Sequence, residues 1–260
     1  MRAAVIVLAL CAPGLARADE RRCSVFCQIG KSLQGGASIH YELTGFEHVD
    51  DGPHRTPAVD ELVLVGARVH PFLGFSDEIQ YHFGFDLAWG ATLGRGGFAY
   101  DMTLYPLGVA TRFGGSGFVT LGTGIGFMGA TRALDAAVLL PLEANAEVDL
   151  TSRLRLLSRV RASYEAGAPA RHDGAPHVPF ADEFEAMLGL RVGHHYMDNG
   201  FPSGNGYFVG VSYREFQRTA FLGLTFGYEV DIASPEAQRA KIHRKRNGQA
   251  RPEDSILLAP

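Results

Sequence analysis

The stretch IQYHFGFDLAWGATL, residues 79 to 93, alternates without a break. Ile79, Tyr81, Phe83, Phe85, Leu87, Trp89, Ala91 and Leu93 are apolar, while Gln80, His82, Gly84, Asp86, Ala88, Gly90 and Thr92 are polar or small. A period of two over this length cannot line one face of a helix, so it specifies a long strand with one apolar side. What that side faces, a protein core or lipid, decides most of what the chain can do.

The pattern recurs. Alternating segments occupy residues 37–46, 61–70, 98–113, 117–129, 137–150, 154–164, 184–193, 207–216 and 220–230, joined mostly by short Gly, Ser, Asp or Thr turns. With 79–93 they make ten strands and no amphipathic helix, the signature of an antiparallel meander. In the segment 98–113 the parity slips at Pro106, where a bulge is expected because a strand tolerates proline there. A count of eight strands is the rival.

The polar faces separate lipid from core. They are rich in glycine (Gly84, Gly90, Gly122, Gly124, Gly126, Gly210, Gly223, Gly227). Glycine weakens a water-exposed sheet but makes room in a narrow lumen. Two successive strands carry Glu143, Asn145, Glu147 and Asp149, then Arg153, Arg155, Arg159 and Arg161. With Leu150-Thr151-Ser152 as a three-residue turn, Asp149 is expected opposite Arg153, Glu147 opposite Arg155 and Glu143 opposite Arg159, a carboxylate row facing an arginine row. Glu185, Arg191, Arg214 and Glu229 share the parity. Such charges suit a plugged lumen, with the apolar side outside, and a closed barrel is the sheet that satisfies its backbone in a bilayer. Aromatic residues near strand ends (Phe98, Tyr100, Phe127, Tyr164, Tyr207, Tyr213, Phe226, Tyr228) fit interfacial girdles.

The N-terminus, MRAAVIVLALCAPGLARA, has the form of a secretory signal peptide over residues 1–18 with an A-x-A cleavage site. Residues 19–36 read as a periplasmic lead-in, 37–231 as the barrel and 232–260 as a polar, disordered tail. Cys23 and Cys27 either close a small disulfide loop or stay as free thiols; no second Cys or His pair completes a zinc set. The net charge of −4 argues against a nucleic-acid partner.

Across residues 37–231 the pattern resembles the small outer-membrane β-barrel proteins of Gram-negative bacteria, an all-β, antiparallel up-and-down transmembrane barrel. That resemblance implies the bacterial outer membrane as location and its lipid as partner. The chain departs from it by running almost thirty residues past Tyr228 and Val230. With the N-terminus in the periplasm, the long segments Glu47–Asp60 and Glu165–Asp182 face outward, where a surface ligand would bind. Val192–Gly206 breaks the rule, being long on the periplasmic side.

One segment, VGHHYMDNGFPSGNGYFVGVSYRE, resembles the His-x-Ser-Asn region of the lipid A 3-O-deacylase barrels. That resemblance implies a Ser nucleophile, a His base and a carboxylate. His195 would match the base, Asp198 the Asn and Glu215 the carboxylate, but Met197 stands at the nucleophile, and a thioether cannot attack an ester. Ser203 lies too far along the turn. The expectation is therefore a non-enzymatic barrel with no catalytic residues, cofactor or metal, in a structural or surface-interaction role. Its rivals are an acyl hydrolase, a small channel and a soluble periplasmic ligand-binding barrel. His40 and His82 have lumen parity and are expected to meet Glu42 or Asp86 as hydrogen-bonded histidines.

Overall fold

The computed structural model describes residues 34–49, 61–74, 79–93, 96–113, 116–131, 134–167, 178–198, 201–217 and 219–233. Residues 1–33, with Cys23 and Cys27, and residues 234–260 lie outside the described residues, while residues 34–36 of the expected lead-in and 232–233 of the expected tail belong to strands. The strands are β1 (Gln34–His48), β2 (Glu61–Gly74), β3 (Ile79–His82), β4 (Gly84–Leu93), β5 (Gly97–Phe113), β6 (Gly117–Ala130), β7 (Leu134–Thr151), β8 (Leu154–Glu165), β9 (Glu183–Asp198), β10 (Phe201–Phe216) and β11 (Thr219–Ala233).

β3 and β4 are one stave interrupted at Phe83, because both pair with β2 on one side and β5 on the other. Each remaining neighbour in sequence pairs antiparallel, and β1 closes on β11 from Gly36↔Ala233 to His48↔Phe221. The result is a closed ten-stave up-and-down barrel, so the eight-strand count is excluded. Closure leaves no edge strand with unpaired backbone groups.

The alternation in the sequence becomes an inside and an outside. Along β3 and β4, Gln80, His82, Asp86 and Thr92 are buried, whereas Ile79, Phe85, Trp89 and Leu93 are 42–59 % exposed. The same holds round the wall, with Leu142, Leu188, Tyr207, Val211 and Leu224 all more than half exposed. The apolar side therefore faces away from the protein.

The bulge at Pro106 is present. Leu104 pairs with Ile125 and Leu107 with Thr123, so Tyr105 and Pro106 together face Gly124. Odd residues point inward before the bulge and outward after it, as the buried Tyr105 and half-exposed Val109 show. Only glycine fits opposite: a Cβ on Gly124 would lie 1.8 Å from the Leu104 carbonyl oxygen.

Two expectations from the sequence are corrected by the register. β9 and β10 continue to Asp198 and Phe201, with Met197 paired to Pro202, so the long connection Val192–Gly206 is mostly strand. All connections at that end are thus short, and the long ones, after β1 and β8, leave from the opposite end. The turn between β7 and β8 is also tighter than three residues. β7 runs through Thr151 and β8 starts at Leu154, which shifts the pairing to Asp149↔Arg155 and Glu143↔Arg161. Arg153 consequently sits exposed in the turn instead of in the lumen.

Apolar clusters occupy part of the lumen. Phe46, Leu62, Leu64, Ala99, Ala130 and Phe221 pack at the long-loop end, and Met128, Ala137, Leu139 and Phe216 pack beside them. A smaller cluster of Phe72, Ala110 and Phe118 lies towards the short-turn end.

Candidate functional site: the charged lumen

Between these apolar clusters the lumen is ionic. Its carboxylates (Glu42, Asp86, Asp101, Glu143, Glu147, Asp149, Glu183, Glu185, Glu229, Asp231) outnumber its guanidiniums (Arg68, Arg112, Arg155, Arg159, Arg161, Arg191, Arg214). Each sits on the inward parity of its strand, so the placement follows from alternation plus closure.

Three groups of contacts organise them. Near the short-turn end, fully buried Arg155 donates to Asp149, to Glu147 at 2.7 Å and to Asp231 at 3.2 Å. Arg191, on β9, reaches Asp231 at 2.7 Å and Glu229 at 2.9 Å. The Ser38 hydroxyl donates to Asp231 at 2.7 Å, which ties β1 to the same carboxylate.

Towards the long-loop end, Arg161 meets Asp101 at 2.7 Å, Glu183 at 2.8 Å and Glu185 at 3.2 Å. Arg214 donates to Asp101 and Arg159 to Glu185. Ser163 donates to Glu183. A buried charge costs several kcal/mol to desolvate unless it is paired, and here the pairing spans β5, β8, β9 and β10. The network holds together staves that share no ladder, such as β5 and β8.

The third group lies on β2, β3, β4, β5 and β7. His70 Nε2 is 2.6 Å from Asp86 Oδ1, and His70 Nδ1 is 3.0 Å from His82 Nε2. Glu143 accepts from the Tyr105 hydroxyl at 2.7 Å and from Asn145 Nδ2 at 2.7 Å. Its carboxylate thus turns to Tyr105 and Asn145, although Arg161 is its cross-strand neighbour.

The seven lumen charges singled out from the sequence therefore fare differently. Glu147, Asp149 and Arg155 meet one another; Arg159 and Arg161 pair with β9 and β5; Glu143 joins the histidine side; Arg153 is in the turn. His40 does meet Glu42, at 3.1 Å, but His82 meets His70 and leaves Asp86 to it. Asp101, Glu183, Asp231, Arg68, His70 and Tyr105 were missed, although each has the inward parity of its strand.

Two cavities lie in the lumen, of about 60 Å³ and about 20 Å³. The larger is lined by His40, His70, Phe72, Asn145, Glu147 and Met187 among others, and has room for a few waters.

The deacylase-like residues are not brought together. Gly204 on β10 pairs with His195, whereas Glu215 on β10 pairs with Phe184. At ~3.3 Å per residue this puts Glu215 about 35 Å along the strand from His195. Glu215 instead accepts hydrogen bonds from the Val178 amide and the Tyr213 hydroxyl at the long-loop end.

No known family model matches this chain, and no curated protein does. Among solved structures it is similar to the NanC porin (8 % identity, 76 % of this chain and 98 % of that one, TM-score 0.41). It is also similar to the translocator domain of the autotransporter NalP from Neisseria meningitidis (10 % identity, 77 % and 88 %, TM-score 0.37). A third is the β domain of the Bordetella autotransporter BrkA (13 % identity, 75 % and 98 %, TM-score 0.37). Superpositions this loose say nothing of this chain's role; its closed barrel follows from its own strand register.

Proposed function

We propose that this protein is an outer-membrane barrel of a Gram-negative bacterium, with a lumen closed by side chains and a non-enzymatic, structural or surface-interaction role. One observation carries the reading: the apolar side of every stave faces out while the charges face in. Exposed apolar patches on soluble monomers rarely exceed a few hundred Å², so a wall of leucine, valine and aromatic side chains needs an apolar solvent. Outward aromatic residues Phe98, Phe127 and Tyr164 gather at the long-loop end, where an interfacial belt would lie.

Two further features support a closed lumen over a channel. The charges partner one another across the bore, as Asp101 does with Arg161 and Arg214. Ten staves enclose a narrower bore than that of the 16–18-stranded porins, which leave an aqueous channel. Surface binding falls to the long connections Glu47–Asp60 and Glu165–Asp182, whose flanking strands end on one side of the barrel. Residues 50–60 and 168–177 themselves lie outside the described residues.

The test is folding of the mature chain into detergent micelles, followed by gel mobility with and without boiling and by planar-bilayer conductance. Expected are a boiling-dependent shift, insolubility without detergent and no steady conductance. Regular single-channel steps would replace the closed barrel with a pore. A monodisperse protein in plain buffer would overturn the membrane reading.

A further inference from the structure

The histidine group in the lumen combines an imidazole with two carboxylates from three different staves. One nitrogen and two carboxylate oxygens, from His70, Asp86 and Glu143, lie within 4.8 Å of one another, and all three residues are buried. They come from β2, β4 and β7, so the barrel wall converges them across the bore. A first-row divalent ion bonds His nitrogen and carboxylate oxygen at about 2.0–2.2 Å, which places donor atoms roughly 3–4 Å apart. Coordination would open the 2.6 Å His70–Asp86 contact slightly.

We propose that His70, Asp86 and Glu143 bind a divalent transition-metal ion of the zinc class inside the lumen. Three independent features support a cation here. First, Asp86 Oδ2 is buried with no hydrogen-bond partner among the described residues, and the Arg68 guanidinium stands 3.8 Å from it. Second, His82 stands behind His70 at 3.0 Å, in the position from which a second residue orients a ligating imidazole by taking its other N–H. Third, the lumen carries more carboxylates than guanidiniums, so a bound cation moves it towards neutrality.

The wall is also shaped for the two rings. A Cβ on Gly84 would lie 3.1 Å from the His70 ring, and one on Gly108 would lie 2.7 Å from His82 Nδ1. The larger cavity, which His70 and Asn145 help line, has space for waters to complete the coordination shell. On binding, the ion takes the His70 Nε2 position that now faces Asp86, so the neutral ring carries its one proton on Nδ1. His70 Nδ1–H then donates to His82 Nε2. The site depends on the lumen geometry and not on where the barrel resides.

The experiment uses the full chain folded in micelles, stripped with chelator and titrated with Zn²⁺ by calorimetry in buffers of different ionisation heat. Visible absorption of the Co²⁺ form reports coordination directly. Expected are one ion per chain and loss of affinity of at least about 100-fold in His70→Gln. A further loss of about 10–100-fold is expected in His82→Gln. Removing the competing cation in Arg68→Met tightens binding, which a purely structural cluster has no means of producing. Boiling-dependent gel mobility confirms that each variant is folded, and Glu143→Gln, whose oxygen still accepts from Asn145 and whose NH2 donates to the Tyr105 hydroxyl in reverse, replaces His70→Gln if that variant fails to fold. No Zn²⁺ binding up to millimolar concentration overturns the proposal. So does binding that is unchanged in His70→Gln and Glu143→Gln but lost in Glu147→Gln, which would place the ion among Glu147, Glu229 and Asp231.

Discussion

The outer and inner faces of β4 belong to the same ten residues and have opposite chemistry. Outside are Phe85, Trp89 and Leu93, each more than 40 % exposed; inside are Asp86 and Thr92, each below 10 %. A soluble ligand-binding barrel inverts this, keeping apolar side chains in its bore. The difference teaches where each kind of cohesion resides. The wall is held to its surroundings by non-directional apolar contact, while the bore is held together by directional ion pairs that fail singly when one partner is removed.

That contrast can be broken from either side, and the bore should give way first. Arg161→Met removes one of the two guanidiniums that Asp101 and Glu183 share and leaves both buried carboxylates to Arg214. A loss of about 3–5 kcal/mol is expected in urea unfolding from micelles. Leu188→Arg puts a charge on the outer face at a residue 52 % exposed, in the middle of β9. If that face meets lipid, the expected cost is about 2–4 kcal/mol in the same assay, whereas a water-exposed face would tolerate the charge. Gly124→Ala tests the bulge, where the new Cβ meets the Leu104 carbonyl. Overpacking of this kind is expected to cost about 1–3 kcal/mol. Arg153→Ala should leave stability unchanged, because Arg153 is exposed in the β7–β8 turn. A large loss there, matching that of Arg155→Ala, would restore the three-residue turn and its register.

Alternation over nearly every segment made the barrel legible, because a period of two states which residues share a face without any knowledge of partners. The bulge was readable for the same reason: Pro106 coincides with a change of parity. Facing residues across the bore were not readable. Asp101 on β5 meets Arg161 on β8 and Arg214 on β10 because closure bends distant strands towards one another, and no spacing in the chain encodes that. The β7–β8 register slipped by two residues for a local reason. Leu150-Thr151-Ser152-Arg153 offers two turn lengths, and both keep the charges on one face. The lumen side of residues 61–70 was masked by apolar residues, because Leu62 and Leu64 share the inward parity of Arg68 and His70.

Trp89 is the single tryptophan of the chain and lies on the outer face, 45 % exposed. Its fluorescence, with the protein folded into vesicles containing lipids brominated along the acyl chain, therefore tests the central claim most directly. An outward apolar wall in lipid gives blue-shifted emission, strong quenching by the brominated chains and little quenching by aqueous iodide. Emission quenched by iodide and indifferent to the brominated lipid would mean that this face does not meet a membrane.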